Sequence, residues 1–254
     1  MRKPILAANW KMNKTPAEAV EFVKALHTQV MAYPSVETVV CPPFVALPAV
    51  VEALRDAPVG VGAQNLHWKA SGAYTGEVSA PMLAGWVEYV IIGHSERRQF
   101  FAETDKMVNQ KVKLALQHGL KPIVCVGENL EHNKAGLTDP RVTWQVRAAL
   151  ADLTAEQVQD VVIAYEPIWA VGTGRTATPE WANRVCGSVA RAAIEELYGQ
   201  EVAQAIRIQY GGSANEKNIG DLMAMPDIDG VLVGIAGLTL DSFVEMVRVT
   251  ASLY

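Results

Sequence analysis

Two residues of the types that move protons stand where an apolar run stops. They are His94, in Gly93-His94-Ser95-Glu96, and Glu166, in Tyr165-Glu166-Pro167. A carboxylate becomes a stronger base in a site that can be dried, because loss of water disfavours its charged form. An imidazole works as acid or base near neutral pH. The stretch Ser95-Glu96-Arg97-Arg98 can open a helix directly after His94, and a helix start disfavours the cationic ring. Asn9 and Lys11 follow another apolar run and offer a neutral hydrogen bond and a fixed positive charge. Charge placed where charge develops in a transition state is commonly the largest catalytic contribution. Gly172, Gly211-Gly212-Ser213 and Gly234 let backbone approach a ligand closely, as cradling a phosphate with N–H groups requires. Ser213 could cap a helix and touch that phosphate as well. Each feature also has a plain structural reading: an exposed strand-end Glu, a satisfied His, a solvated Lys, ordinary turn glycines.

What must position these residues is a series of short apolar runs. They are Ile5–Trp10, Val36–Cys41, Val59–Ala63, Tyr89–Ile92, Pro122–Val126, Val161–Tyr165, Ile206–Tyr210 and Gly230–Gly234. They are rich in Val and Ile and do not alternate with polar residues, which is expected of parallel strands buried on both faces. Amphipathic segments lie between them. Thr15-Pro16-Ala17-Glu18 predicts a capping box, and Ala19, Phe22, Val23, Leu26 and Val30 follow with helical spacing. Thr154 with Gln157 repeats that logic. Thr178-Pro179 opens a long helix ending near Tyr198-Gly199, Ser213 with Glu216 opens a shorter one, and Asp241 or Ser242 starts the last. Strand followed by helix, eight times over, predicts a (β/α)₈ barrel. A doubly wound sheet is the alternative, but Lys11-Met12-Asn13 stands where its Gly-rich fingerprint belongs. In a barrel, chemistry sits at the carboxyl ends of the strands, where each residue above falls.

Half of the 254 residues are apolar and 19% are charged, against roughly 25% in average globular chains, so a large core is expected. The net charge of -5 and the lack of a basic run argue against nucleic acid and anionic membranes as partners. No apolar run approaches the ~20 residues of a bilayer span. An N-terminal signal-like run is broken by Asn9 and Lys11. Cys41, Cys125 and Cys186 are too few and too scattered for a disulfide framework or a zinc cluster. The expectation is a cytoplasmic protein with reduced thiols and no metal or cofactor.

Five segments then carry a resemblance. Ala8-Asn9-Trp10-Lys11-Met12-Asn13, Gly72–Glu77, Ile92-Gly93-His94-Ser95-Glu96-Arg97-Arg98, Tyr165–Gly174 and Tyr210-Gly211-Gly212-Ser213 look like the signature segments of triosephosphate isomerases, in family order and spacing. The resemblance runs from Lys3 to about Phe243. It implies a single-domain (β/α)₈ TIM barrel over residues 1–254. It further implies isomerisation of dihydroxyacetone phosphate and D-glyceraldehyde 3-phosphate through an enediolate, in glycolysis and gluconeogenesis, without a cofactor. By the same resemblance Glu166 is the general base and His94 the electrophile. Lys11 and Asn9 stabilise developing charge, and Glu96 is a second acid or a partner of Lys11. Gly172, Ser213, Gly234 and Ile235 meet the phosphate. Pro167–Ala177 is a lid, with Gly172-Thr173-Gly174 as its tip. The long Asn65–Ser79 loop inserts into a second subunit of a homodimer and brings Thr75 near the neighbour's Asn9 and Lys11, with Glu77 and Arg98 as structural partners. On sequence alone a self-packed loop remains open there.

The eighth run departs from the pattern. Val233-Gly234-Ile235-Ala236-Gly237 stands where the family typically has Gly-Gly-Ala-Ser after the Val, and Arg175 stands where Lys is usual. Ile235 is β-branched and cannot comfortably adopt positive φ, so weaker phosphate binding or a shifted loop is expected with chemistry retained. The competing functions are another phosphosugar barrel enzyme and a phosphate-binding barrel impaired by Ile235. A Schiff-base aldolase would need Lys at the sixth strand, where this chain has Glu166. A metal-dependent epimerase would need several inward ligands, and only His94 and Glu166 stand out.

Overall fold

The eight apolar runs are eight parallel strands that close on themselves in sequence order, β1 through β8 and back to β1. They are β1 Ile5–Asn9, β2 Glu37–Cys41, β3 Val59–Ala63, β4 Tyr89–Ile92, β5 Lys121–Val126, β6 Val162–Tyr165, β7 Arg207–Tyr210 and β8 Gly230–Val233. Their ends agree with the expected runs to within one residue. The structure is a computed structural model and describes residues 2–170 and 176–254. Helices separate the strands, giving a single-domain TIM barrel. Among the described residues no helix is long and apolar enough to cross a membrane.

Burial on both strand faces explains why the runs do not alternate with polar residues. One face of each strand fills the barrel, with Ile5, Ala7, Val39, Ile91, Ile123 and Val162 among the fillers. The other face, with Leu6, Ala8, Val40, Ile92, Val124 and Ile163, meets the helices. At the amino ends of the strands, Tyr89 and Arg207 both bond Glu37 and close the barrel floor. Pairing is long between β1 and β2, where Ile5 through Asn9 oppose Glu37 through Cys41. Between β7 and β8 it shrinks to Tyr210 opposite Val231.

The helix starts follow their caps. Thr15 makes a full capping box with Glu18 before Pro16–Val30, and Thr154 does so with Gln157 before Ala155–Gln159. The helix opened by Thr178-Pro179 does run to Tyr198 and stops at Gly199, whose φ of 85° favours glycine. Its middle, Val185–Arg191, winds as a π-helix. That stretch brings buried Arg191 onto Asp227 at 3.0 Å and Asp229 at 2.7 Å. Two expected helix starts move. Ser213 does not cap a helix with Glu216, because Asn218 ties back to the Ser213 carbonyl and to the Asn215 N–H, and the helix begins at Ile219. The last helix begins at Leu240, one residue early.

Candidate active site

The carboxyl ends of β1, β4, β6, β7 and β8 converge on a cavity of 310 Å³ lined by Asn9, Lys11, His94 and Glu166 on one side and Gly211–Ala214 and Gly234–Ala236 on the other. All the expected site residues within the described chain are thus brought together, save Glu96, which reaches the site through Lys11. Gly172, the lid tip and Arg175 lie outside the described residues.

β1 ends in a strained turn. Lys11 sits at φ 52°, a region that costs a non-glycine residue free energy. Two bonds impose it: the Lys11 N–H donates to Asn9 Oδ1 at 3.0 Å, and Gln64 Nε2 donates to the Lys11 carbonyl at 2.9 Å. The reward is a fixed ammonium group, with Lys11 Nζ 2.6 Å from Glu96 Oε1.

β4 delivers His94 through an equally constrained step. Gly93 has φ 72°, and a Cβ there would lie 2.8 Å from Val108 and 2.9 Å from Arg98. Its N–H donates to Glu103 at 3.0 Å, and its carbonyl accepts from Arg98 Nε at 2.7 Å. His94 then caps the helix Ser95–Phe100: its Nδ1 accepts the Glu96 N–H at 3.2 Å. With Nδ1 an acceptor, the ring hydrogen is on Nε2, which faces Glu166 Oε1 at 3.0 Å. Burial disfavours the ring cation, but the Glu166 carboxylate outweighs it and holds the His94 pKa above its usual value. Arg98 bonds the Gly93 carbonyl, Asp105 and the Cys125 carbonyl. Its neighbour Arg97 faces outward, bonds Glu103 and lies over Phe101.

β6 delivers Glu166, which is 2% exposed. Two glycines make room for it. A Cβ on Gly127 would lie 1.8 Å from the Glu166 carbonyl, and one on Gly211 would lie 2.8 Å from its Cγ. Ser95 holds the carboxylate with its N–H at 2.9 Å and its hydroxyl at 3.3 Å. Burial pushes the Glu166 pKa up, but His94, the Ser95 N–H and the Lys11 charge win and keep it below the usual carboxylate range.

Opposite these groups, the N–H groups of Gly212 and Gly234 donate to no acceptor among the described residues. Beside Ser213, such N–H groups could receive an anion. Ile235 is not in the positive-φ region, so this backbone accepts a β-branched residue and the strain expected there is absent. Its side chain stands 80% exposed at the cavity mouth. Gly237 is what lets the turn Ile235–Leu238 settle onto β1, since a Cβ there would lie 2.7 Å from that of Ala8.

Sequence reasoning missed four supporting residues. Ser95, Gly127 and Gln64 hold the functional groups from behind, and nothing in their residue types announces it. Glu128 is the fourth. It is fully buried at the end of β5, where its Oε1 accepts the Trp169 indole at 2.7 Å and the Tyr165 hydroxyl at 3.2 Å. Burial raises its pKa. Applying the strand-end rule to the fifth run would have found it.

Comparison with known proteins agrees with this geometry. The family model described as triosephosphate isomerase matches residues 4–250. The triosephosphate isomerase of Acetivibrio thermocellus is 60% identical over 248 residues, 97% of this chain and 98% of the relative. Those of Chloroflexus aurantiacus and Carboxydothermus hydrogenoformans are 54% and 52% identical, each covering 98% of this chain and 99% of the relative.

Proposed function

The chain belongs to the triosephosphate isomerase family, whose members interconvert dihydroxyacetone phosphate and D-glyceraldehyde 3-phosphate, and from that premise we propose that Glu166 and His94 carry the proton transfers in this chain. The observation behind the assignment is the pair itself: a buried carboxylate 3.0 Å from an imidazole whose other nitrogen is already engaged.

Once substrate is bound, Glu166 leaves Ser95 and His94 and turns toward it. Glu166 then takes a proton from the carbon next to the carbonyl, and the electron pair moves onto the carbonyl oxygen. His94 Nε2–H meets that oxygen and gives up its proton, leaving an enediol. Glu166 then gives its proton to the neighbouring carbon while His94 Nε2 takes the proton of the other hydroxyl, whose oxygen becomes the new carbonyl, and both groups end as they began. With Glu166 drawn away, the influence that raises the His94 pKa weakens while burial and the Glu96 N–H remain, so the ring is neutral when it acts. Lys11 supplies positive charge beside the enediolate, Asn9 supports it, and Glu96 fixes the Lys11 ammonium. Gly212, Ser213, Gly234 and the Ile235 backbone receive the phosphate. No cofactor enters this chemistry.

We further propose that residues 1–254 work as one domain, in the cytoplasm, as a homodimer joined through the Asn65–Ser79 loop. That loop stacks His67 between Trp68 and Tyr74, each with ring centroids 4.1 Å away, and leaves Tyr74 42% exposed. Met12, Val45, Met82, Trp86 and Phe101 are exposed as well, apolar side chains that a second subunit would cover. Light scattering at micromolar concentration tests the dimer.

A coupled isomerase assay on purified protein tests the activity. Glu166→Gln is expected to lower kcat by about 10²–10⁴-fold, the usual worth of a positioned base. An inactive parent that still binds inorganic phosphate would instead favour a binding barrel.

A further inference from the structure

A second cavity, of 840 Å³, opens behind the catalytic wall, between the helices Ser95–Phe100, Leu130–Lys134 and Thr138–Leu150. Its inner side includes Ser95 and Gly127, which hold Glu166, and Ile168 and Trp169, which directly follow Glu166-Pro167. Its outer wall is apolar, with Leu130 and a Phe100 that is 67% exposed.

Three polar groups on its lining, Gln145, Arg141 and His132, have bonding capacity to spare. Gln145 is 2% exposed and its Oε1 accepts the Gly127 N–H at 2.7 Å, yet its Nε2 donates to no described residue. Arg141 has one charged neighbour among the described residues, Asp105 at 3.6 Å, too long for a hydrogen bond. The His132 ring bonds nothing among the described residues. The one acid on the lining, Glu96, is turned to Lys11. The cavity thus combines flat apolar walls with unsatisfied donors and a positive charge.

We propose that this cavity binds a small aromatic anion, its charged group at Arg141 and Gln145 Nε2 and its ring between Phe100 and Ile168. An occupant there braces Ser95, Ile168 and Trp169. It therefore opposes the departure of Glu166 from Ser95 that proton abstraction requires. Turnover falls while substrate binding, in the other cavity, is unchanged. The effect on turnover rests on the isomerase reading, whereas the binding does not, so the two fail separately.

The probe is 1-anilinonaphthalene-8-sulfonate, an aromatic sulfonate. Fluorescence titration of the full chain is expected to show one saturable site per chain, unaffected by saturating glycerol 3-phosphate. Arg141→Ala and Phe100→Ser, each with parental isomerase activity, are each expected to weaken binding at least fivefold. In the coupled assay the probe lowers kcat of the parent and leaves KM alone. Non-saturable binding, displacement by glycerol 3-phosphate, or parental affinity in both variants overturns the site. One-site binding with unchanged kcat overturns its coupling to turnover.

Discussion

Ser95 grips Glu166 twice, through its N–H at 2.9 Å and its hydroxyl at 3.3 Å, and so holds the carboxylate on the His94 side of the cavity. Ser95→Ala removes the weaker bond and keeps the stronger. Because Glu166 must leave Ser95 to reach the substrate, losing the hydroxyl is expected to change kcat less than about threefold, with KM nearly constant, in steady-state kinetics. A loss approaching that of Glu166→Gln would mean that the hydroxyl does more than position.

The Glu166–His94 pair sets a pH window. The lowered Glu166 pKa contributes stability that is present above the unfolded carboxylate value, about 4.3, and lost as pH falls through the folded one. The raised His94 pKa contributes stability that is present below about 6.5 and lost as pH rises through the folded value. Both contributions are therefore full between these limits, and Glu166→Gln should cost most there. In that variant burial dominates the ring and the His94 pKa should fall. Imidazole NMR titration of the ligand-free protein reads this directly, and an unmoved pKa would disprove the pairing.

Gln64 holds Lys11 in its unfavourable conformation and also donates to the Cys41 carbonyl at 2.9 Å. Gln64→Leu leaves both carbonyls without that donor and lets Lys11 relax. Destabilisation of about 1–3 kcal/mol is expected, together with a drop in kcat/KM of at least tenfold. Urea unfolding and the coupled assay measure the two. Full activity in the variant would show that the Lys11 turn needs no such support.

Lys111 is buried with its Nζ 2.6 Å from Glu103 and 2.8 Å from Asn65, the first residue of the Asn65–Ser79 loop. Burial lowers its pKa, with Glu103 working against that. Glu103→Gln leaves the ammonium without its countercharge. The expected loss is about 3–5 kcal/mol, with a weaker dimer by dilution-dependent light scattering. Wild-type stability would mean that Asn65 alone satisfies the lysine.

Ile235 and Gly237 make a linked pair of changes in one turn. Ile235→Gly is expected to lower KM several-fold at constant kcat by uncovering the cavity mouth, and an unchanged KM removes that idea. Gly237→Ser places a side chain against Ala8 and Val233. Overpacking of this kind costs about 1–3 kcal/mol, readable as a lower Tm.

The barrel was legible because each strand is buried on both sides, which leaves a run of β-branched residues such as Val161–Tyr165 with no polar interruption. Thr15 and Thr154 announced their helices because a cap is a local bond between residues three apart. Ser213 misled for the opposite reason: Asn218, five positions away, took its carbonyl and moved the helix start. Glu166, His94, Lys11 and Asn9 were visible as strand-end polar groups. Gln64, Gly127 and Ser95 were not, since their roles arise from distances across the barrel that no spacing encodes. Strain at Lys11 was equally hidden, because lysine carries no signal for a left-handed backbone.

The single paired position between β7 and β8 has an evolutionary reading. A cylinder paired along five positions between β1 and β2 and at one between β7 and β8 can tolerate change beside that loosest seam. The Gly211–Ser213 and Gly234–Ala236 turns leave the cylinder on either side of it. A lineage can therefore exchange residues in those turns, as Ile235 and Gly237 illustrate, without having to re-register its neighbours, and amide exchange should be fastest along that line.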